Sequence, residues 1–241
     1  VTNQWGVFAI AGPKTRDVMR EIIKDRDIDS VLSNKNFPWL SVRNIELGMC
    51  PVKAIRVAYT GELGYELHHP IEMQNYIFDK VMEAGAEFDI KPFGIRAMDS
   101  MRLEKSYRLI PREMSIEYSA FESGLDRFVR LDKEEDFIGK TALSQWQDNG
   151  PTNGFVTMEI LGIVDADPRG SEAIYKDGEV VGRATSGGYG WRCVKSLALG
   201  LVRLELAAIG SELEIEILGE KYKAIVIEES PFDPNNECLR S

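Results

Sequence analysis

The groups best placed to do chemistry sit in one run, Ala58-Tyr-Thr-Gly-Glu-Leu-Gly-Tyr-Glu-Leu-His-His-Pro70. Lys53–Tyr59 alternates apolar and polar residues and predicts a β-strand. Thr60–Gly64 is turn chemistry, with two glycines open to positive φ, and Tyr65–His69 predicts the returning strand. Tyr59 then ends one arm of a hairpin and Glu66 begins the other. A hydroxyl and a carboxylate converging at such a rim could grip a flat heterocycle rich in N–H donors. The same pattern also fits a solvated hairpin tip, and this run by itself leaves both readings open.

Composition narrows the alternatives. The 241 residues are 44% hydrophobic and 28% charged, ordinary material for one large or two small globular domains. A formal net charge of −10 and an isoelectric point near 4.9 argue against nucleic-acid partners and anionic membranes. No apolar run approaches a membrane span, and the longest, Leu197–Val202, is strand-like. Three scattered cysteines (Cys50, Cys193, Cys238) without a CxxC fit free thiols in a reducing compartment. His68 and His69 are the only histidines, so a histidine-based metal site lacks an evident third ligand and no G-x-S-x-G elbow supports a charge-relay triad. No basic segment followed by an apolar stretch opens the chain. A cytoplasmic location is expected, or the mitochondrial matrix for a eukaryotic protein. Val1 stands where an initiator methionine would, and Trp5–Ala11 enters a core strand at once, which suggests a piece of a longer polypeptide.

The elements that must position the hairpin follow in order. Trp5–Ala11 predicts a strand, Lys14–Lys24 a helix after Gly12-Pro13, Asp25–Pro38 a polar connection and Trp39–Leu47 a strand. Ile71–Phe88 carries Met73, Ile77, Val81, Met82 and Ala86 on one helical face. This order predicts a ferredoxin-like α/β plait, with helices covering one face of an antiparallel sheet. Ile95–Lys105 reads as a further helix, Tyr107–Ser123 as loop-rich, Gly124–Leu131 as strand-like and Phe137–Trp146 as a short helix. Gln147–Gly154 marks the boundary between residues 1–150 and 151–241. Beyond it, Phe155–Ile163, Glu172–Lys176, Glu179–Thr185, Ser196–Leu204, Glu212–Leu218 and Lys221–Glu228 predict short strands, with hairpin turns at Asp177-Gly178 and Gly219-Glu220. The expected class is α+β, a plait followed by a small antiparallel β-barrel.

Six motifs in this order carry a resemblance. They are Tyr59-Thr-Gly-Glu-Leu-Gly-Tyr-Glu66, Asp99-Ser-Met-Arg-Leu-Glu104, Gly124-Leu-Asp-Arg-Phe-Val129, Asp136-Phe-Ile-Gly-Lys140, Thr185-Ser-Gly187 and Lys195-Ser-Leu-Ala-Leu-Gly200. From Trp5 onward the chain resembles the tetrahydrofolate-dependent aminomethyltransferase family, which includes the T-protein of glycine cleavage and the folate halves of dimethylglycine and sarcosine dehydrogenases. Asp126-Arg-Phe-Val with Asp136-Phe-Ile-Gly-Lys is closer to the dehydrogenase branch. The resemblance implies transfer of a one-carbon unit to tetrahydrofolate, with any flavin (FAD) in a separate, upstream domain.

For the site, the resemblance implies that Tyr59 and Glu66 contact the folate. A pterin edge offers two adjacent N–H donors, which match the two oxygens of Glu66. Glu62, inside the turn, is expected to be solvated or capping. Phe128 falls where the family has an aromatic residue against the ligand, although a core phenylalanine fits as well. Arg169 falls near a folate-contacting arginine, and a guanidinium suits the anionic glutamyl tail. The family's arginine before D-x-x-R-L-E is Met98 here, Arg96 is no evident substitute, and Arg102 and Glu104 are expected to make structural bonds. The family's catalytic aspartate has no counterpart in this chain, so no catalytic residue is assigned and Asp99 is expected to be structural. A folate-dependent demethylase of a sulfonium and a non-catalytic folate-binding regulator stand as alternatives. The regulator's K-G-C-Y-x-G-Q-E pattern is absent from Lys105–Arg112.

Overall fold

The first alternating run forms β1 (Trp5–Ala11) in the computed structural model, which describes residues 3–24, 27–163 and 165–241. The start of the chain (Val1, Thr2), Asp25 and Arg26 of the polar connection, and Val164 lie outside the described residues. Gly12 ends β1 at φ +133°, a value open to glycine, and its N–H donates to the Leu63 carbonyl at 2.8 Å. α1 (Thr15–Ile22) follows, burying Val18, Met19 and Ile22 at helical spacing. The polar connection holds one helical turn, α2 (Ile28–Val31).

β2 (Val42–Leu47), β3 (Cys50–Ile55) and β4 (Gly64–Pro70) form a meander, and β1 lies along the free edge of β4. The strand order is β1-β4-β3-β2, with each neighbouring pair antiparallel. α3 (Gln74–Gly85) joins α1 on one face of this sheet. Between them lies a core that includes Met19, Ile22, Val52, Tyr65, Leu67 and Ile77. On the other face the described residues, Val7, Asn44, Lys53 and Glu66 among them, are exposed or half-buried. The layers are those the periodicities predict.

The chain divides into two compact units, Val1–Met98 with Asp233–Ser241, and Asp99–Phe232. The division falls inside α4 (Ile95–Leu103). In the second unit, Gly124–Leu131 is not a strand. Gly124 takes φ +64°, and the N–H groups of Phe128 and Val129 bond back to Leu125 and Asp126, closing a single 3-10 turn over Asp126–Phe128. Local turn bonds outcompete the apolar pattern there, and no strand among the described residues pairs with it. α5 (Lys140–Asn149) starts after Gly139, at φ +93°, and runs to Asn149, so the polar boundary segment begins only at Gly150.

The six expected strands are present as β5 (Asn153–Ile160), β6 (Ala173–Lys176), β7 (Glu179–Gly190), β8 (Lys195–Arg203), β9 (Glu212–Ile217) and β10 (Glu220–Ile227). They close a barrel in the order β10-β5-β8-β7-β6-β9 around Met158, Ile174, Val202, Ile215 and Ala224. Asp177-Gly178 makes the first hairpin turn with φ of +52° and +83°. The second turn is Leu218-Gly219, one residue earlier than the sequence suggests, with φ of +53° and +86°. α6 (Glu237–Arg240) ends the described chain in the first unit.

A buried polar knot ties the 99–113 segment to the barrel wall. The register slips between Ala184 and Ser186, so Thr185 bulges. Successive side chains of a regular strand face opposite sides, but the bulge lets the hydroxyls of Thr185 and Ser186 both donate to one Glu113 oxygen, each at 2.6 Å. The other Glu113 oxygen accepts the Leu109 N–H at 2.8 Å and lies 3.6 Å from the Arg102 guanidinium. Arg102, fully buried, also donates to Asp99 at 2.7 Å, to the Tyr107 carbonyl at 3.0 Å and to Ser186 at 2.7 Å. Glu104 accepts the N–H groups of Arg192 and Cys193 at 2.6 and 3.1 Å. The three D-S-M-R-L-E side chains expected to be structural, Asp99, Arg102 and Glu104, all make bonds within this unit.

Glu122 holds a second junction, accepting from the Ser119 N–H and hydroxyl, the Thr152 hydroxyl and the Asn153 amide at 3.0–3.1 Å. Burial alone would raise its pKa, but these bonds outweigh it and bring it from 4.5 to about 2.

Arg102→Met strands the Glu113 charge in the interior and is expected to cost about 3–5 kcal/mol in urea denaturation, whereas a loss under about 1 kcal/mol would show the knot to be dispensable. Because the folded-state pKa of Glu122 is depressed, its contribution is complete above 4.5 and is lost as the pH falls toward about 2. Melting curves across that window should steepen in pH dependence for the wild type and lose that share of the slope in Glu122→Gln.

Candidate functional site

Strand β4 positions the site. Tyr65, Leu67 and His69 are buried against the helices, so the pleat sends Glu66 and His68 to the open face. Glu66 stands between Ala9 of β1 and Ile55 of β3, and His68 between Val7 and Lys53. The Glu66 side chain remains 43% accessible, and its Oε2 lies 3.1 Å from the His68 Nε2. An ionised carboxylate only accepts, so the imidazole is the donor. A cleft of about 720 Å³ in the same unit is lined by Trp5, Asn44, Lys53 and Pro70 among others, and Glu66 is not part of its wall.

β3 ends at Ile55, earlier than the sequence suggests, and Tyr59 lies half-buried in the connection from Arg56 to Leu63. This connection is held at its base by Arg56, which is buried and donates to the Phe37 carbonyl and the Asn34 side chain, both at 2.7 Å. Its two glycines act differently. Gly61 takes φ +78°, as turn chemistry predicts. Gly64 does not take positive φ; a Cβ there would meet Ala58 at 2.7 Å and the Ile10 carbonyl oxygen at 2.9 Å, so close approach of β1 requires the glycine. Glu62 is half-buried. The first unit thus holds Tyr59 and Glu66.

Phe128 and Arg169 belong to the second unit. Phe128 is 69% exposed, not a core residue, and the Arg127 guanidinium sits 4.9 Å from its ring centroid. Arg169 is exposed on a loop pinned to the Thr185-Ser-Gly187 segment. The Glu172 carboxylate accepts the N–H groups of Arg169 and Gly170, each at 2.7 Å. A Cβ on Gly187 would fall 2.2 Å from Pro168, and one on Gly170 would fall 2.8 Å from the Thr185 carbonyl oxygen. Among the described residues, the Arg169 guanidinium has no ion-pair or hydrogen-bond partner.

Two participants escape the sequence reading. The sequence weighs His68 as a metal ligand or a member of a charge-relay triad, yet its spacing of two from Glu66 on a strand is the signal that the two share a face. Glu172, three residues past Arg169, is the kind of short-range acceptor that caps a turn. Cys193 is chemically quiet: burial, then the Glu104 carboxylate, push its thiol up to about 11.

Comparison with known proteins agrees with the architecture. The family model of the GCVT N-terminal domain matches residues 1–133, and that of the glycine cleavage T-protein C-terminal barrel domain matches residues 154–233. Human mitochondrial dimethylglycine dehydrogenase is 40% identical over 95% of this chain and 26% of its own length. The aminomethyltransferase of Bacillus cytotoxicus is 32% identical over 96% of this chain and 61% of its own length. The chain therefore spans about a quarter of the first relative and three fifths of the second. In fold, it matches the glycine cleavage system aminomethyltransferase T of Bartonella henselae at a TM-score of 0.79 and 21% identity, over 95% of this chain and 60% of that one. With a family model covering more than half its length and both domain types in sequence, the chain belongs to the glycine cleavage T-protein family.

Proposed function

We propose that this chain is the folate-binding part of a one-carbon transferase that passes a carbon from an N-methylamine to tetrahydrofolate. The observation that carries the reading is Glu66, an accessible carboxylate fixed by strand register on an open sheet face and oriented by a neighbouring donor. Its acceptor oxygens suit the ligand. One oxygen is engaged by His68 and keeps a free lone pair, the other is uncommitted among the described residues, and a pterin edge brings two N–H donors. Ala9 and Ile55 flank the carboxylate with apolar surface that a flat ring can cover.

When bound, tetrahydrofolate supplies the N5 amine that accepts the carbon. In this reading Glu66 orients the ring and Tyr59 orders it from the β3–β4 connection, both within the first unit; in the second unit the resemblance makes candidates of Arg169, whose guanidinium suits an anionic glutamyl tail, and of Phe128, with its exposed aromatic face. The proton-moving carboxylate is assigned to none of these residues. Asp99, the acid of the D-S-M-R-L-E motif, is bonded to Arg102 at 2.7 Å. Identity of 40% to a dimethylglycine dehydrogenase, against 32% to an aminomethyltransferase, supports an N-methylamine as the carbon donor. The same reading puts any FAD in a domain outside these residues, and the protein in the cytoplasm or the mitochondrial matrix, one relative being mitochondrial.

Calorimetry on the protein carrying this chain should show saturable binding of 5-formyltetrahydrofolate, and none at millimolar ligand would contradict the proposal. Glu66→Ala should weaken that binding by about 1.5–3 kcal/mol, the scale of hydrogen bonds to a charged group. Unchanged affinity would return Glu66 to a structural role.

A further inference from the structure

We infer that His68 is a positioning residue that sets the Glu66 carboxylate for its ligand, an inference that rests on the pterin-binding reading of Glu66. A glutamate has three rotatable side-chain bonds, and on an open face it must be immobilised before it can receive two donors at once. The register partners of Glu66 cannot do this, because Ala9 and Ile55 carry no side-chain donor. Among the described residues, the side chain bonded to the Glu66 carboxylate is His68, at 3.1 Å and 28% accessible. The bond runs between residues two apart on β4, so the pleat that exposes Glu66 also delivers its donor to the same face. It engages Oε2 and leaves Oε1 to accept from the ligand.

The adjacent histidine shows the contrast. His69 points to the helix face, is fully buried, lies 2.8 Å from the Leu67 carbonyl through Nδ1 and 3.1 Å from the Gln74 side-chain oxygen through Nε2, and stacks on Phe8 with ring centroids 5.1 Å apart. His69 is a core residue. His68 shares none of these contacts and bonds instead to the Glu66 carboxylate.

The test is a double-mutant cycle in the protein carrying this chain, with 5-formyltetrahydrofolate affinity from calorimetry and melting temperature from circular dichroism. His68→Leu, which removes the donor, should weaken binding about 3- to 10-fold, the cost of ordering one flexible side chain, with the melting temperature unchanged. His68→Gln keeps an N–H donor and should restore most of the loss. In a Glu66→Ala background, where there is no carboxylate to hold, His68→Leu should have no further effect. Equal losses in both backgrounds, or full affinity in His68→Leu while Glu66→Ala binds weakly, overturns the role of His68 alone. Full affinity in Glu66→Ala overturns the pterin reading and this role together.

Discussion

The two-residue period of β4 is the constraint from which the site follows. Buried Tyr65, Leu67 and His69 fix which side of the strand faces the helices, and Glu66 and His68 must then face outward. A slip of one residue would bury a glutamate beside the hydrophobic core and expose a leucine. The core therefore enforces the position of the polar pair. Pairing on both edges strengthens this, because β1 and β3 each offer register partners to Glu66 and His68. The connection before β4 is held as firmly, with Gly64 pressed against β1 and Arg56 buried at its base.

The second unit applies the same logic with polar atoms. Its D-S-M-R-L-E and T-S-G segments are far apart in sequence, yet both meet at Glu113. The bulge at Thr185 brings two hydroxyls to one carboxylate oxygen, and the buried Arg102 balances the charge. The glycine of T-S-G in turn admits Pro168, which seats the loop carrying Arg169. Several residues that carry the family resemblance thus hold the frame, and the exposed side chains proposed to meet ligand hang from it.

Legibility in the sequence followed the range of the forces involved. Short apolar segments between turn residues reveal the six barrel strands, β8 among them as an unbroken apolar run, Leu197–Val202, buried along its length. The helices α1 and α3 were equally plain from their apolar spacing. Gly124–Leu131 misled because its apolar residues look strand-like, while the outcome was set by local turn bonds and a positive φ at Gly124. The roles of Gly64 and Glu113 were hidden for another reason: each depends on a neighbour distant in sequence, Ile10 for one and Ser186 for the other. Tyr59 and Glu66 stand out from the spacing of the hairpin run itself, their folate role and the choice of Phe128 and Arg169 rest on resemblance to a family, and the structure adds which of them are exposed and what anchors their backbone.

The central claim, that the outward face of β4 recognises the pterin edge, is tested most directly by a crystal structure of the protein carrying this chain with 5-formyltetrahydrofolate bound. The account predicts the ring's two adjacent N–H donors within hydrogen-bonding distance of the Glu66 oxygens, about 2.7–3.2 Å, with the His68 bond retained. A folate bound with its pterin away from Glu66 would contradict it.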